Sequence, residues 1–206
     1  MHVPKINENK NLDEIKAFIH ANSFGILVTN QTGSAPIATH IPIELSTNSL
    51  GEDVLVGHIA RANQQIKTFQ DGVEVLAIFS SPHSYISSSW YKHATTVPTW
   101  NYIAVHVYGV LRLQSDEELH ASLVELMDKY EQAVAKEPRK LADLPEKKVA
   151  REMRGIIGFE IKITDFQARY KLSQNRHSED YQHVINELEE LDDNGATYIA
   201  NEMKKR

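Results

Sequence analysis

The sequence predicts a mainly β protein with helices, a β-barrel with helices packed outside it. Three observations lead there. The first half carries several short runs of strand-forming residues separated by turn residues, and the second half shifts to helical spacing before two more strand runs. Regular alternation of strand and helix, the mark of a doubly wound sheet, is absent. Of the 206 residues, 41% are hydrophobic and 24% charged, enough to bury one core. With no internal repeat or low-complexity linker, the expected organisation is one domain over 1–206 with peripheral helices, including a C-terminal helical segment from about 177.

Taken in order, Asn11-Leu-Asp-Glu14 has the pattern of a capping box, and Leu12, Ile15, Phe18 and Ile19 form the stripe of a short helix. Strands are expected at 24–29, 35–43, 54–59 and 73–79. Turns are expected at Asn30-Gln-Thr-Gly33 and across 47–53, and Pro36 and Pro42 limit which amides of the second strand can pair. Residues 62–69 are helix-compatible with Gly72 as a stop, and 102–113 is the longest strand. Ser115-Asp-Glu-Glu118 opens a helix with an apolar face of Leu119, Leu123, Leu126, Met127 and Tyr130. A shorter helix at 147–153 precedes two strands, 156–163 and 166–172. Tyr181, Val184, Ile185, Leu188 and Leu191 then mark one helix ending at Asn194-Gly195.

Bulk charge removes several classes of function. Lys and Arg total 22 against 28 acidic residues, a net −6, and there is no helix-turn-helix signature or basic stripe. Direct DNA binding is therefore disfavoured. The absence of cysteine rules out disulfides, thiolate catalysis and cysteine-ligated metals. Met1-His-Val-Pro4 lacks the layout of a signal peptide, and no apolar run approaches the ~20 residues of a membrane span. A cytoplasmic protein with no membrane partner is expected. The ten histidines are scattered, so no metal site is expected, and Gly-x-Ser-x-Gly is missing.

Three segments carry chemistry. Residues 79–109 hold both tryptophans and four tyrosines among hydroxyls, amides and imidazoles, the surface a planar heteroaromatic ligand needs. Barrel core plus an ordered surface loop accounts for the same rings. Within it Ile103, Val105 and Val107 share a core face, while Tyr102, Ala104, His106 and Tyr108 face a ligand, a partner subunit or solvent. In Gly57-His-Ile-Ala-Arg-Ala-Asn63 an arginine sits at a strand-to-helix junction, which suits a phosphate or simply the surface. Lys171-Leu-Ser-Gln-Asn-Arg176 offers two cations, a hydroxyl and two amides, as a phosphate grip or as a helix cap with solvated charges.

These segments, together with Met1-His-Val-Pro4, Thr39-His-Ile-Pro42, Pro82-His-Ser-Tyr-Ile-Ser-Ser-Ser-Trp-Tyr91 and Val97-Pro-Thr-Trp-Asn-Tyr102, resemble the PaiB family in its own order and over nearly the full chain. That family is similar to the flavin split-barrel proteins, which include pyridoxamine phosphate oxidase. The resemblance implies an FMN-binding split barrel, a homodimer with FMN at the subunit interface, and a negative transcriptional regulator of sporulation and secreted degradative enzymes. It places Thr39 and His40 on the strand passing the flavin, and His58, Arg61 and Asn63 in the motif at its phosphate or ribityl chain. Trp100, Asn101 and Tyr102 would border the ring, and Lys171, Ser173, Gln174 and Asn175 would reach in from the C-terminal segment. Gln64 and Ser88 stand where the family usually has proline, which relaxes the backbone locally. An FMN-dependent oxidoreductase acting on a small molecule and a haem-binding split barrel remain as alternatives. No residue is singled out as a catalytic base.

Overall fold

The structure, a computed structural model, describes all residues except Gln31, Thr32, Ser34 and 93–95. The expected turn at Asn30-Gln-Thr-Gly33 therefore lies partly outside the described residues. In chain order the elements are β1 (Glu8–Asn9), α1 (Leu12–Ala21), β2 (Phe24–Thr29), β3 (Ile37–Thr47), β4 (Asp53–Ala60), β5 (Val73–Ser80), β6 (Ser84–Ile86), β7 (Thr99–Leu113), α2 (Asp116–Val134), α3 (Glu146–Met153), β8 (Ile156–Lys171), α4 (Ser178–Glu190) and α5 (Asn194–Lys204). The chain folds into two compact units that interleave in sequence. The first comprises Met1–Phe18, Phe79–His106 and Gln167–Arg206; the second comprises Ile19–Ile78 and Val107–Phe166.

The second unit carries the barrel. Its strands run β8-β4-β3-β2-β5-β7, and β7 also pairs with β8, closing a ring of six. The register sets Leu27 opposite Thr39, Ile43 opposite Gly57 and Leu55 opposite Ile161. Leu27, Ile43, Leu55, Ala77, Val107, Leu111, Phe159 and Ile161 are buried, one face of each strand as period-2 patterning requires. At Gly109 an added Cβ would lie 2.4 Å from the Lys162 carbonyl oxygen, so β7 and β8 approach too closely there for any side chain. The helix-compatible stretch becomes a short 3-10 turn, Gln64–Thr68, capped by the Asn63 side chain on the Gln65 amide at 2.9 Å. Gln65 is wholly buried, and its Nε2 donates to Leu27 O, Thr29 Oγ1 and Ile37 O at 3.0, 3.0 and 3.1 Å, tying β2 to β3.

Where two late strands were expected, the structure has one, β8, of 16 residues. Thr164 and Asp165 read as a break in the sequence, but both are exposed and the strand carries through them. Its first part is held by the β4 ladder and its last part by β1. The Ser115 capping box forms as expected: Glu118 N donates to Ser115 Oγ, and Ser115 N to Glu118 Oε2 at 2.8 Å. The box at Asn11 forms only in half. Asn11 Oδ1 accepts from the amides of Asp13 and Glu14, but the Glu14 carboxylate accepts from the side chains of Asn9 and Asn11.

In the first unit β6 pairs with β7, setting Tyr85 opposite Trp100. The single terminal helix expected from the sequence is two. α4 ends at Glu190, and Asn194-Gly195 opens α5, because Asp193 Oδ1 accepts from the Ala196 amide at 2.7 Å and restarts the helix. Val184, Ile185 and Leu188 of α4 and Ala196, Ile199, Ala200 and Met203 of α5 are buried.

Candidate functional site

In the first unit, burial alternates along β7 and β8. Asn101, Ile103 and Val105 are buried while Trp100, Tyr102, Ala104 and His106 lie outward, and on β8 Gln167, Arg169 and Lys171 are outward of buried Ala168, Tyr170 and Leu172. Spacing of two therefore sets Arg169 and Lys171 on one face. The Arg169 guanidinium stacks over the Tyr102 ring at 5.3 Å and donates from Nη1 to His2 O at 3.1 Å. Its Nε is buried and has no hydrogen-bond partner. Lys171 Nζ donates to Thr99 Oγ1, and Arg176 stacks over Tyr91 at 4.6 Å. Burial, then the charges of Arg169 and Arg176, push the Lys171 ammonium below its ordinary pKa. Among the described residues none of these three cations is paired with a carboxylate.

The loop behind them is built by the remaining residues of the motif. Ser173 adopts φ 62°, the left-handed region a serine rarely occupies. Wholly buried Asn101 holds it there, donating from Nδ2 to Ser173 Oγ at 2.9 Å and toward Met203 Sδ at 3.5 Å. Gln174 accepts from the Leu172 amide at 2.7 Å and donates to Tyr170 O. Asn101, Ser173 and Gln174 thus shape the loop, while Asn175 is exposed. Trp100 is 49% exposed and stands edge-on to Tyr85 and His83.

In the second unit, Asn63 Nδ2 donates to Thr39 Oγ1 at 3.1 Å, so those two expected residues do meet. Arg61 is exposed, and its Nε donates to Arg154 O at 2.9 Å, just past the end of α3. His40 lies on the outward face of β3. His58 shares the face of Val56, opposite buried Leu55 and Ile59, and lines a cavity beneath α2. Thr39 and Asn63 therefore meet, Arg61 is engaged with the end of α3, and His58 is turned to the α2 side. The sequence reading missed Arg169 as a site residue. Its signal was there, two positions before Lys171 on the expected strand 166–172, where period-2 spacing puts both on one face.

Whether these residues fit a flavin nucleotide is a question of donor chemistry. Three unpaired cations, one with a buried unsatisfied N–H, match a phosphate dianion, and half-exposed rings beside them match a planar heterocycle. The fit holds.

A closed ring of six strands with flanking helices defines the split-barrel class of flavin proteins. Solved structures agree on the fold. The FAD- and haem-binding protein from Mycobacterium smegmatis gives a TM-score of 0.62 at 12% identity, over 85% of this chain and 78% of that one. A flavocytochrome from Azotobacter vinelandii gives 0.57 at 16% identity, over 88% and 78%. A family described as "Putative FMN-binding domain" matches residues 1–165. The "Protease synthase and sporulation protein PAI 2" of Bacillus subtilis is 41% identical over 206 residues, covering all of this chain and 98% of that protein. An uncharacterized protein of Emericella nidulans is 30% identical over 244 residues, covering 100% and 97%. The chain belongs to this FMN-binding family as a PaiB-like member, and its cofactor is FMN.

Proposed function

We propose that the flavin phosphate is held by Arg169, Lys171 and Arg176, with Tyr102 and Trp100 against the ring, in a homodimeric PaiB-type regulator of the cytoplasm. The observation that carries this reading is the set of three cations without a carboxylate partner among the described residues, one with a buried N–H that none of those residues accepts. Bound FMN supplies hydride and electron-transfer chemistry. The chain's own residues bind and orient it: Arg169 is already aligned by Tyr102, and Lys171 by Thr99. Exposed Trp100, Tyr85 and Val97 supply apolar surface for a second copy. The regulatory role rests on the name of the Bacillus subtilis relative. A dimer doubles the net −6, which repels DNA, so regulation runs through a protein or metabolic partner.

Flavin fluorescence quenching tests the site. Arg169→Ala and Lys171→Ala are each expected to weaken FMN binding by about tenfold while the flavin-free protein still folds. Unchanged affinity in both overturns this seat for the phosphate. If Arg61→Ala alone weakens binding, the phosphate sits instead on the second unit. Light scattering checks the dimer. A specific, salt-dependent complex with promoter DNA would overturn the indirect route to regulation.

A further inference from the structure

Helix α2 packs on the barrel of the second unit with few buried side chains. Its stripe Ser122, Glu125, Leu126 and Lys129 faces Pro42, Glu44, Val56 and His58 on the outer side of β3 and β4. Leu119 is its only buried residue, and the expected apolar members Leu123, Leu126 and Met127 are half-buried. A helix packed for stability alone would close this contact with hydrophobes. Here a cavity of about 130 Å³ remains.

The polar groups around it divide into two sets. Glu44 is fully engaged, accepting from Lys129 Nζ at 2.6 Å and from Tyr130 OH at 2.8 Å, and Tyr130 OH also meets Ser23 Oγ at 2.6 Å. Ser122 Oγ accepts from Gln114 Nε2 at 2.9 Å. Among the described residues the side chains of half-buried His58 and exposed Glu125 have no hydrogen bond or ion pair, and His20 contributes a second imidazole to the lining. With Lys129 matched by Glu44, the one unmatched fixed charge is the carboxylate of Glu125. Burial lowers the pKa of His58, which keeps its imidazole neutral and able to accept a proton donor.

We infer that this cavity is a binding site for a small organic ammonium ion with a compact apolar body. The ammonium sits between Glu125 and His58, and the body packs on Pro42, Val56 and Leu126. The size agrees, since a cavity of about 150 Å³ accepts a benzene ring. The charge agrees as well, since an anion would face Glu125 and Glu44 while Lys129 is already taken. The site uses none of the residues proposed for the flavin phosphate, so it stands or falls independently of that reading.

The test uses the full chain with FMN present and three probes of one shape: benzylamine, benzyl alcohol and benzoate. Two-dimensional amide NMR is expected to show saturable shifts at Val56, His58 and Leu126 with benzylamine, weaker ones with the alcohol and none with benzoate. Glu125→Gln should weaken benzylamine about tenfold and leave the alcohol unchanged. Leu126→Trp, which fills the space, should abolish both. The site is overturned if benzylamine gives no saturable shift there, if benzoate binds as well as benzylamine, or if the shifts fall on Tyr85 and Trp100 instead. The thermal midpoint of each variant confirms that it is folded.

Discussion

Arg112 in the second unit and Lys171 in the first are both partly buried cations on barrel strands, and the protein treats them in opposite ways. Arg112 meets two carboxylates, Glu118 at 2.9 and 2.8 Å and Glu160 at 3.1 and 3.0 Å, and Glu160 is itself buried. Hydrogen bonding to Glu118, then to Glu160, raises the Arg112 pKa far above its ordinary value. Among the described residues Lys171 has only a hydroxyl partner, and its pKa is lowered, first by burial and then by its two cationic neighbours. A cation matched inside the chain contributes to the fold. A cluster left unmatched costs stability, and that cost is recovered only when an anion arrives.

This contrast can be broken at either end. The largest expected effect is Arg112→Ala, which strands Glu160 and should lower stability by about 2 kcal/mol, less than for a fully buried pair because the Arg112 side chain is 42% exposed and screened. Urea denaturation measures it, and FMN affinity should not change. Ser115→Ala removes the hydroxyl of the capping box that holds Glu118 in place and should cost about 1 kcal/mol by the same measurement. The smallest effect has the opposite sign. Lys171→Met should raise the melting temperature of the flavin-free protein slightly at pH 7.5. The folded pKa of Lys171 lies below the ordinary 10.5, so its protonated form carries the full penalty below that folded pKa. As pH climbs from the folded pKa toward 10.5 the unfolded chain holds the extra proton and the parent gains stability. The gap between parent and variant should therefore narrow across that window; a gap that widens would mean Lys171 is stabilised by a partner.

Much of the barrel was legible because its strands bury one face and carry turn residues between them. Ile103, Val105 and Val107 are buried and alternate with the outward Tyr102, Ala104, His106 and Tyr108, while the 3-10 segment ends at Thr68 and Gly72, at φ +90°, forms the turn into β5. The site was legible only as residue types. Asn101 and Lys171 look alike in a motif, as polar residues able to grip a ligand, yet one is wholly buried and holds Ser173 in a left-handed turn while the other faces outward. Period-2 spacing separates the two faces of a strand but does not say which of them is covered. His58 shows the same limit. It belongs to the motif of Arg61, but an odd spacing of three turns it to the α2 side.

By itself the sequence determined most of the strands and helices, the closure of the chain to cysteine and metal-thiolate chemistry, and the motif order that marks a PaiB-like FMN protein, because propensity, composition and motifs are local properties. Only the tertiary structure decided that 156–171 is one strand, that Arg169 joins Lys171 and Arg176 in an unmatched cationic cluster, and that α2 leaves a cavity over His58. Those outcomes depend on which distant residues supply hydrogen bonds, countercharges and cover, and such partners are set by the packing of the folded chain.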